Sequence, residues 1–260
     1  MKISGKGNNG IFSKWLGRLK TMQDPRVPKY LSKKYKPIIK IPASEQIEYL
    51  NKVVNRYIGE VKDFQDLGKL TVSWAKELYA IKPERPIPPE LPIHDVDLLL
   101  KKEDKLIVLA SSREINPQEL KLDEPDSVVS WTMKQKDTVF IPDIYTKYKI
   151  PPEYLPLEKT IVTDYVVMTV DEKGKSVVYP LSKTGINLNP LTEGEKCRNC
   201  LLISPLISGE KTFGVLFQEF GIPNAFYYTP DGTGNAAVSG HLAKTIAFGI
   251  DLLLKKGLSF

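Results

Sequence analysis

The chain has 260 residues, of which 42% are hydrophobic, with 37 Lys and Arg against 31 Asp and Glu. This composition excludes a collagen-like or largely disordered chain, and two cysteines are too few for a disulfide scaffold. No run approaches 18 consecutive apolar residues and no signal-peptide pattern opens the sequence, so we expect a cytoplasmic protein without a membrane span.

The formal net charge of +6 is unevenly distributed along the chain. Residues 1–40 contain 11 basic residues and one acidic residue, a net charge of +10, whereas the other 220 residues carry −4. A uniformly basic nucleic-acid-binding domain is therefore disfavoured. We interpret residues 1–43 as a basic arm and residues 44–260 as the folded domain.

Apolar residues recur at helical spacing within residues 11–20 of the arm, with basic residues between them. A short helix of this kind lies in a membrane interface, in a partner's groove or on the protein's own body. We predict that it anchors the chain to an acidic protein partner or peripherally to a membrane surface; nucleic acid is less favoured. The anchoring residues are Phe12, Lys14, Trp15, Leu16, Arg18 and Leu19. Residues 21–42 contain four prolines and favour an extended connector.

The folded domain begins with an apolar stripe spaced by three and four residues over 44–80, which predicts one long helix or two consecutive helices with a break near Gly68. A Pro-rich loop follows at 82–92. β-rich runs then alternate with polar turns, and the chain closes on an Ala-, Leu- and Ile-rich helix capped by Gly257. The predicted hairpins are 96–100 with 106–110, 161–170 with 176–181, and 201–207 with 212–220; a helix is predicted at 126–136, a strand at 139–144, a Tyr- and Pro-rich excursion at 145–158, and the last helix at 235–256.

This order of elements predicts an α+β domain in which helices gather on one face of an antiparallel sheet. Several stretches resemble the GAF domain, a sensory module related to PAS domains. They are residues 95–110, residues 127–143 with the pair Pro142-Asp143, and above all residues 202–218. The resemblance spans residues 44–256, with an unusually long segment at 145–195. It implies a GAF-like central antiparallel sheet with the N- and C-terminal helices packed on one face.

A GAF domain binds a cyclic nucleotide, tetrapyrrole, small metabolite or metal, or it only dimerises. A sheet covered by helices on one side leaves its other face for a ligand pocket, and the 145–195 segment is the candidate cover. We expect Trp131, Asp143, Tyr145 and Glu219 to be ligand-binding residues, with a turn-forming role as the alternative for Asp143. The sequence does not identify a cofactor, and we assign no metal ligands.

The pair Cys197 and Cys200 forms a CxxC motif, which can be a redox disulfide or part of a metal site. The two histidines, His94 and His241, are distant in sequence and are expected to be structural hydrogen-bonding residues. One enzymatic branch of the GAF family, the free methionine sulfoxide reductases, is similar in placing reactive cysteines near this region. That branch carries paired acids in the following strand, where this chain keeps Glu219.

The sequence thus favours a non-enzymatic GAF-like sensor or protein-interaction module. The apolar stripes at 44–80 and 235–256 predict a homodimer formed through these helices. Two alternatives stay open. One is a redox enzyme that uses Cys197 and Cys200, and the other is a structural adaptor without a small ligand.

Overall fold

The computed structural model describes residues 22–23, 43–78, 94–113, 119–121, 127–155, 159–170, 176–188, 200–221 and 234–260. The six predicted anchoring residues of the arm and Cys197 lie outside these ranges.

The predicted helices and strands of the folded domain follow one another in the predicted order, and two strands that were not predicted are added to it at Glu119–Lys121 and at Thr146–Ile150, the latter inside the predicted excursion at 145–158. The helices are α1 (Ala43–Glu60), α2 (Phe64–Leu78), α3 (Val128–Gln135) and α4 (Gly234–Lys255), and single 3-10 turns lie at Pro152–Tyr154 and Leu181–Lys183. The strands are β1 (Met22–Gln23), β2 (Asp95–Lys102), β3 (Lys105–Ser111), β4 (Glu119–Lys121), β5 (Thr138–Ile141), β6 (Thr146–Ile150), β7 (Val162–Asp164), β8 (Val166–Val170), β9 (Ser176–Pro180), β10 (Cys200–Ser208) and β11 (Lys211–Phe220).

An eight-stranded antiparallel sheet forms the centre of the domain, in the order β4-β3-β2-β11-β10-β5-β8-β9. All three predicted hairpins are found in it, although the strand run predicted at 161–170 is divided in two. A separate three-stranded sheet has the order β1-β6-β7. The predicted α+β class is confirmed.

The N- and C-terminal helices pack together on one face of the large sheet. Their buried residues include Val54 of α1, Leu67 of α2 and Ile246 of α4, which share one core with Leu98 and Leu216 of the sheet. These positions follow the predicted three- and four-residue spacing, so the amphipathic stripe is the cause of this packing. The expected arrangement of terminal helices is confirmed, but the short α3 lies on the opposite face, where Val128 and Val129 pack against Val215.

The break between the first two helices is not at Gly68, as predicted, but at residues 61–63. Asp63 begins α2 by accepting a hydrogen bond from the backbone N–H of Asp66 at 2.8 Å, which caps the new helix. Gly68 lies inside α2, where a Cβ atom would meet the Cβ of Ala110 at 2.8 Å. The glycine therefore permits close packing of the helix on β3 rather than ending the helix.

The segment 145–195 is only partly a cover over the sheet. Val166–Val170 and Ser176–Pro180 join the large sheet as β8 and β9, and β8 is buried along its whole length. The chain breaks at Asp164, whose carboxylate accepts hydrogen bonds from the backbone N–H groups of Tyr165 and Ser182. These two bonds turn the chain between β7 and β8, which explains why the predicted single strand is two strands.

Residues 22 and 23, the described part of the predicted connector, pair with the domain. Met22 and Gln23 form β1, which pairs antiparallel with Lys147 and Thr146 of β6. The arm is thereby joined to the small sheet by backbone hydrogen bonds.

Helix α4 is long and apolar enough to cross a membrane by length and composition alone, over residues 236–255. Half of that stretch is buried inside the domain, as in the core helix of a globular fold. This is weak evidence for a span.

Candidate functional site

Strand alternation divides the polar residues of the large sheet between its two faces. In β2, Val96 and Leu98 point to the core beneath the terminal helices, whereas Asp95, Asp97 and Leu99 point to the other face. In β11, which pairs with β2, Glu219 is opposite Asp95 and Phe217 is opposite Asp97. Asp95, Asp97 and Glu219 therefore lie together on the face away from the terminal helices.

Arg113, just beyond the end of β3, lies between two of these carboxylates. Its Nη1 donates to Glu219 Oε1 at 2.7 Å, and its Nη2 donates to Asp97 Oδ2. The hydroxyl of Ser111 donates to Asp97 Oδ1 at 2.5 Å, and that of Ser112 donates to Asp95 at 3.3 Å. We call Asp95, Asp97, Glu219 and Arg113 the acidic face.

Burial and the neighbouring carboxylates shift the pKa of Arg113 in opposite directions. Burial alone lowers the pKa of Arg113, but the neighbouring carboxylates of Glu219 and Asp97 outweigh it and raise that pKa above its ordinary value. Arg113 is therefore charged at any physiological pH. Its Nε is buried and makes no hydrogen bond with the described part of the chain. Among the described residues, the acidic face thus brings three carboxylates and one guanidinium together.

Two of the four predicted ligand-binding residues belong to this face of the sheet. Glu219 is part of the acidic face and only 1% exposed. Trp131 of α3 is buried in an apolar cluster that includes Leu201 and Phe217. Leu201 is paired with Glu219 on the adjacent strand, and Phe217 lies two residues before Glu219 in β11. The Trp131 ring packs edge to face against the Tyr179 ring, with 5.6 Å between the ring centroids. Residues 181–188 partly cover this cluster, as expected of the 145–195 segment.

The other two predicted residues form a turn at the end of β5. The Asp143 carboxylate accepts a hydrogen bond from the backbone N–H of Tyr145 at 2.8 Å, and both side chains are buried. This is the turn geometry that the sequence offered as the alternative role of Asp143. A ligand-binding role of Asp143 and Tyr145 stays a prediction.

Cys200 lies at the start of β10 and is fully buried opposite Phe220. A substrate therefore reaches its sulfur only if surrounding residues move. Cys197, the other half of the CxxC motif, lies outside the described residues. Within the described ranges, no group of three or more His, Cys, Asp and Glu side chains is arranged to hold a metal ion.

Both histidines make hydrogen bonds, as expected. His94 contacts Gln218 Oε1 through Nε2 at 3.3 Å, and its ring stacks on Phe220 at 4.1 Å. His241 contacts Asn51 Oδ1 at 2.8 Å and thereby joins α4 to α1. Burial lowers the pKa of His94 to about 3.

Sequence reasoning missed Asp95, Asp97 and Arg113. A usable signal was present for the two aspartates, because they alternate with Val96 and Leu98 in an otherwise apolar strand. Acids spaced by two residues point to the same face of a sheet. No comparable local pattern marks Arg113, which reaches the site only through the pairing of β2 with β3.

Comparison with solved structures gives several GAF domains. The structure is similar to the GAF domain of a phosphoenolpyruvate-protein phosphotransferase from Coxiella burnetii, with 12% identity and a TM-score of 0.48 over 82% of this chain and 98% of that one. The corresponding domain from Acinetobacter has 13% identity and a TM-score of 0.47, over 81% and 95% of the two chains.

A free methionine-R-sulfoxide reductase from Neisseria meningitidis, solved with its substrate, is similar at 12% identity and a TM-score of 0.47, over 82% of this chain and 91% of that one. No protein-family model matches the chain, and no curated protein sequence does.

Proposed function

We propose that the chain is a non-enzymatic sensor module that binds a small molecule with a positively charged group at the acidic face. The observation that carries this proposal is the set of three buried carboxylates, those of Asp95, Asp97 and Glu219, that lies together on one face of the sheet. Buried carboxylates are stable when they are paired with positive charge, so a group of them suits a ligand with a cationic group.

The position of the cluster suits a sensor. The acidic face lies on β2 and β11, and the opposite face of the same strands supports the terminal helices. A ligand that changes the spacing of these two strands would act directly on the packing of α1 and α4. The domain would exist in two conformations that differ in the packing of these helices, and the ligand would favour the conformation that it binds more tightly.

The binding test uses the full chain and a panel of small primary amines and amino acids. We expect at least one of them to raise the midpoint of thermal unfolding of the wild type, and Asp97→Asn to abolish that rise. Asp104→Asn is the matched control, because Asp104 is exposed in the turn between β2 and β3. If no amine changes the midpoint, and native mass spectrometry finds no retained small molecule, the structural-adaptor alternative replaces the sensor.

The module is further proposed to act as a homodimer through α1 and α4. The support is one large apolar side chain, Phe248 of α4, which is 50% exposed although the helix is otherwise largely buried. Tyr57 of α1 is also exposed. Exposed aromatic residues of this kind are enriched in protein interfaces.

We also propose that the basic arm holds the module at an acidic protein or at an anionic membrane surface in the cytoplasm. The support is the net charge of +10 in residues 1–40, against −4 in the rest of the chain. Clustered Lys and Arg residues are attracted to anionic surfaces by this electrostatic effect.

A redox function of Cys197 and Cys200 is the second candidate from the sequence. No described contact favours it, since Cys200 is fully buried. Replacement of both cysteines by serine, followed by an assay for reduction of free methionine sulfoxide, decides the matter. Loss of such an activity would contradict the non-enzymatic proposal.

A further inference from the structure

The small sheet β1-β6-β7 has two faces of opposite character. In β6, Tyr148 is almost completely buried, whereas Lys147 and Lys149, on either side of it, are exposed. In β7, Asp164 is paired with Tyr148 and is buried, and Thr163 is paired with Lys149 and is exposed. Strand alternation therefore directs one face of the sheet into the domain and the other face to solvent.

One large apolar side chain lies beside the exposed lysines. Ile161 comes directly before β7 and two residues before Thr163, the partner of Lys149. It is 61% exposed, more than any other large hydrophobic residue in the part of the chain that the structure describes. We call Lys147, Lys149, Ile161 and Thr163 the basic face.

The basic face carries positive charge only. Neither Lys147 nor Lys149 forms a salt bridge within the described ranges, and no acidic residue occupies an exposed position of β6 or β7 there. Lys147 Nζ lies over the ring of Tyr165, 5.3 Å from its centroid, which favours this position of the ammonium group without removing its charge. The flanking turns add one acid and one base, Glu153 and Lys159, which are both exposed and balance each other.

We propose that the basic face contacts an anionic lipid membrane, with Ile161 inserted between the lipid headgroups. This inference rests on the proposed anchoring by the arm, and it names the membrane as the surface and β6 and β7 as a second contact.

The composition of the basic face favours a membrane over an acidic protein. Lysine is depleted in protein interfaces, where aromatic residues, methionine and arginine are enriched. An aliphatic side chain flanked by lysines suits a lipid surface, because the ammonium groups remain at the phosphates while the apolar group enters the headgroup region.

The arm joins the domain at this same sheet, since Met22 pairs with Lys147. The 21 residues before Met22 contain five basic residues and no acidic one. Each Lys or Arg held close to an anionic leaflet strengthens binding by about fivefold. The arm and the basic face would therefore contribute to binding of the same surface.

The experiment is sedimentation of the full chain with vesicles of phosphatidylcholine and phosphatidylserine, and with vesicles of phosphatidylcholine alone. We expect the wild type to bind only the anionic vesicles, and added salt to weaken this binding. Lys147→Gln combined with Lys149→Gln should weaken it about 25-fold, because two charges near the surface are lost.

Two variants of Ile161 test the insertion of this side chain. Ile161→Ser should weaken vesicle binding by at least about fivefold, because less apolar area leaves water. Ile161→Trp should strengthen it, since tryptophan favours the membrane interface. Unchanged binding in both variants would contradict the insertion, and circular dichroism checks that each variant is folded.

The matched control is Lys101→Gln combined with Lys102→Gln. It removes two exposed lysines from the end of β2 in the large sheet and changes the net charge by the same amount. It should bind anionic vesicles as the wild type does. The proposal is overturned if this control weakens binding as much as the Lys147 and Lys149 variant does, or if that variant binds as the wild type does.

Variants of the arm separate this inference from the proposed anchoring. If Lys14→Gln with Arg18→Gln weakens vesicle binding and the variants of the basic face do not, the arm alone binds the membrane and the basic face is excluded. If only the variants of the basic face weaken it, the inference stands and anchoring by the arm fails. A wild type that binds neither kind of vesicle overturns the membrane contact and leaves an acidic protein as the partner of the arm.

Discussion

At Gly214, strand β11 approaches β2 more closely than any side chain would allow. A Cβ atom would lie 1.9 Å from the carbonyl oxygen of Leu99, and the residue has φ +150°. Both the space and the backbone conformation therefore require glycine. This contact brings β11 and β2 together in the middle of the sheet that carries the acidic face on one side and the terminal helices on the other.

We expect Gly214→Ala to lower the free energy of unfolding by about 3 kcal/mol or more, because overpacking adds to backbone strain. Gly209→Ala is the matched control. Gly209 also has a positive φ, of +59°, but an added Cβ atom would have no other atom within 4 Å. It should cost only about 1 kcal/mol. Urea unfolding measures both values, and equal losses would contradict the close approach at Gly214.

His94 makes the stability of the domain depend on pH. Burial lowers its pKa to about 3 in the folded chain, against an ordinary value of 6.5. Between these two values the unfolded chain binds a proton that the folded chain does not bind. The free energy of unfolding contributed by neutral His94 is therefore complete above about pH 6.5 and falls as the pH decreases, by about 1.4 kcal/mol per pH unit.

Urea unfolding at pH 7 and pH 5 tests this dependence. The wild type should lose about 2 kcal/mol more than His94→Gln over this interval, whatever the stability of the variant at pH 7. A parallel decline in the two proteins would show that the fold does not lower the pKa of His94.

At the scale of single elements, the sequence predicted the helices and hairpins well because their apolar spacing is local. The stripe from Leu50 to Ile58 and the alternation in β2 are both readable from neighbouring residues. What was mispredicted depends on contacts between distant segments. Gly68 looks like a helix break in the sequence, and only the approach of Ala110 on β3 explains why it lies within α2.

Less of the candidate site was predictable, because its residues come together through contacts between distant segments of the chain. Glu219 and Trp131 were expected to bind a ligand, and both lie on the face away from the terminal helices, but their ligand-binding role stays a prediction. Arg113 enters the acidic face only because β3 folds back on β2. A set of buried hydrogen bonds likewise links His94, just before β2, through Gln218, Ser239 and Ser204 to Thr138 on β5, and no local pattern predicts such a set.

Two glycines in the first helices provide a test of element packing. Gly68→Ala should destabilise the domain by about 1–3 kcal/mol, since the added methyl group meets Ala110. Gly59→Ala, with nothing within 4 Å of the added Cβ, should stabilise it by about 0.5–1 kcal/mol through helix propensity. Thermal or urea unfolding of the two variants should therefore change in opposite directions; a stabilising Gly68→Ala would contradict the close packing of α2 on β3.

At the scale of the whole molecule, the homodimer is the proposal that most needs a direct measurement. We expect light scattering of the full chain to give twice the monomer mass, and Phe248→Glu to give the monomer. Ile161→Glu is the matched control, because Ile161 is an equally apolar side chain that is 61% exposed far from α4 in sequence. A wild type that is monomeric over a wide concentration range would remove the dimer from the proposal.

The pairing of β1 with β6 changes the reach of the arm. About 30 residues separate Phe12 from the start of α1, and a fully extended chain of that length spans roughly 105 Å. Met22, however, is already paired with Lys147, and only ten residues separate Phe12 from Met22, which span about 35 Å at most. For the proposed anchoring, an acidic surface contacted at Phe12 would lie within about 35 Å of β6, the strand on which Lys147 and Lys149 are exposed. A tether that starts at β6 instead of α1 would thus limit which side of the domain can face that surface.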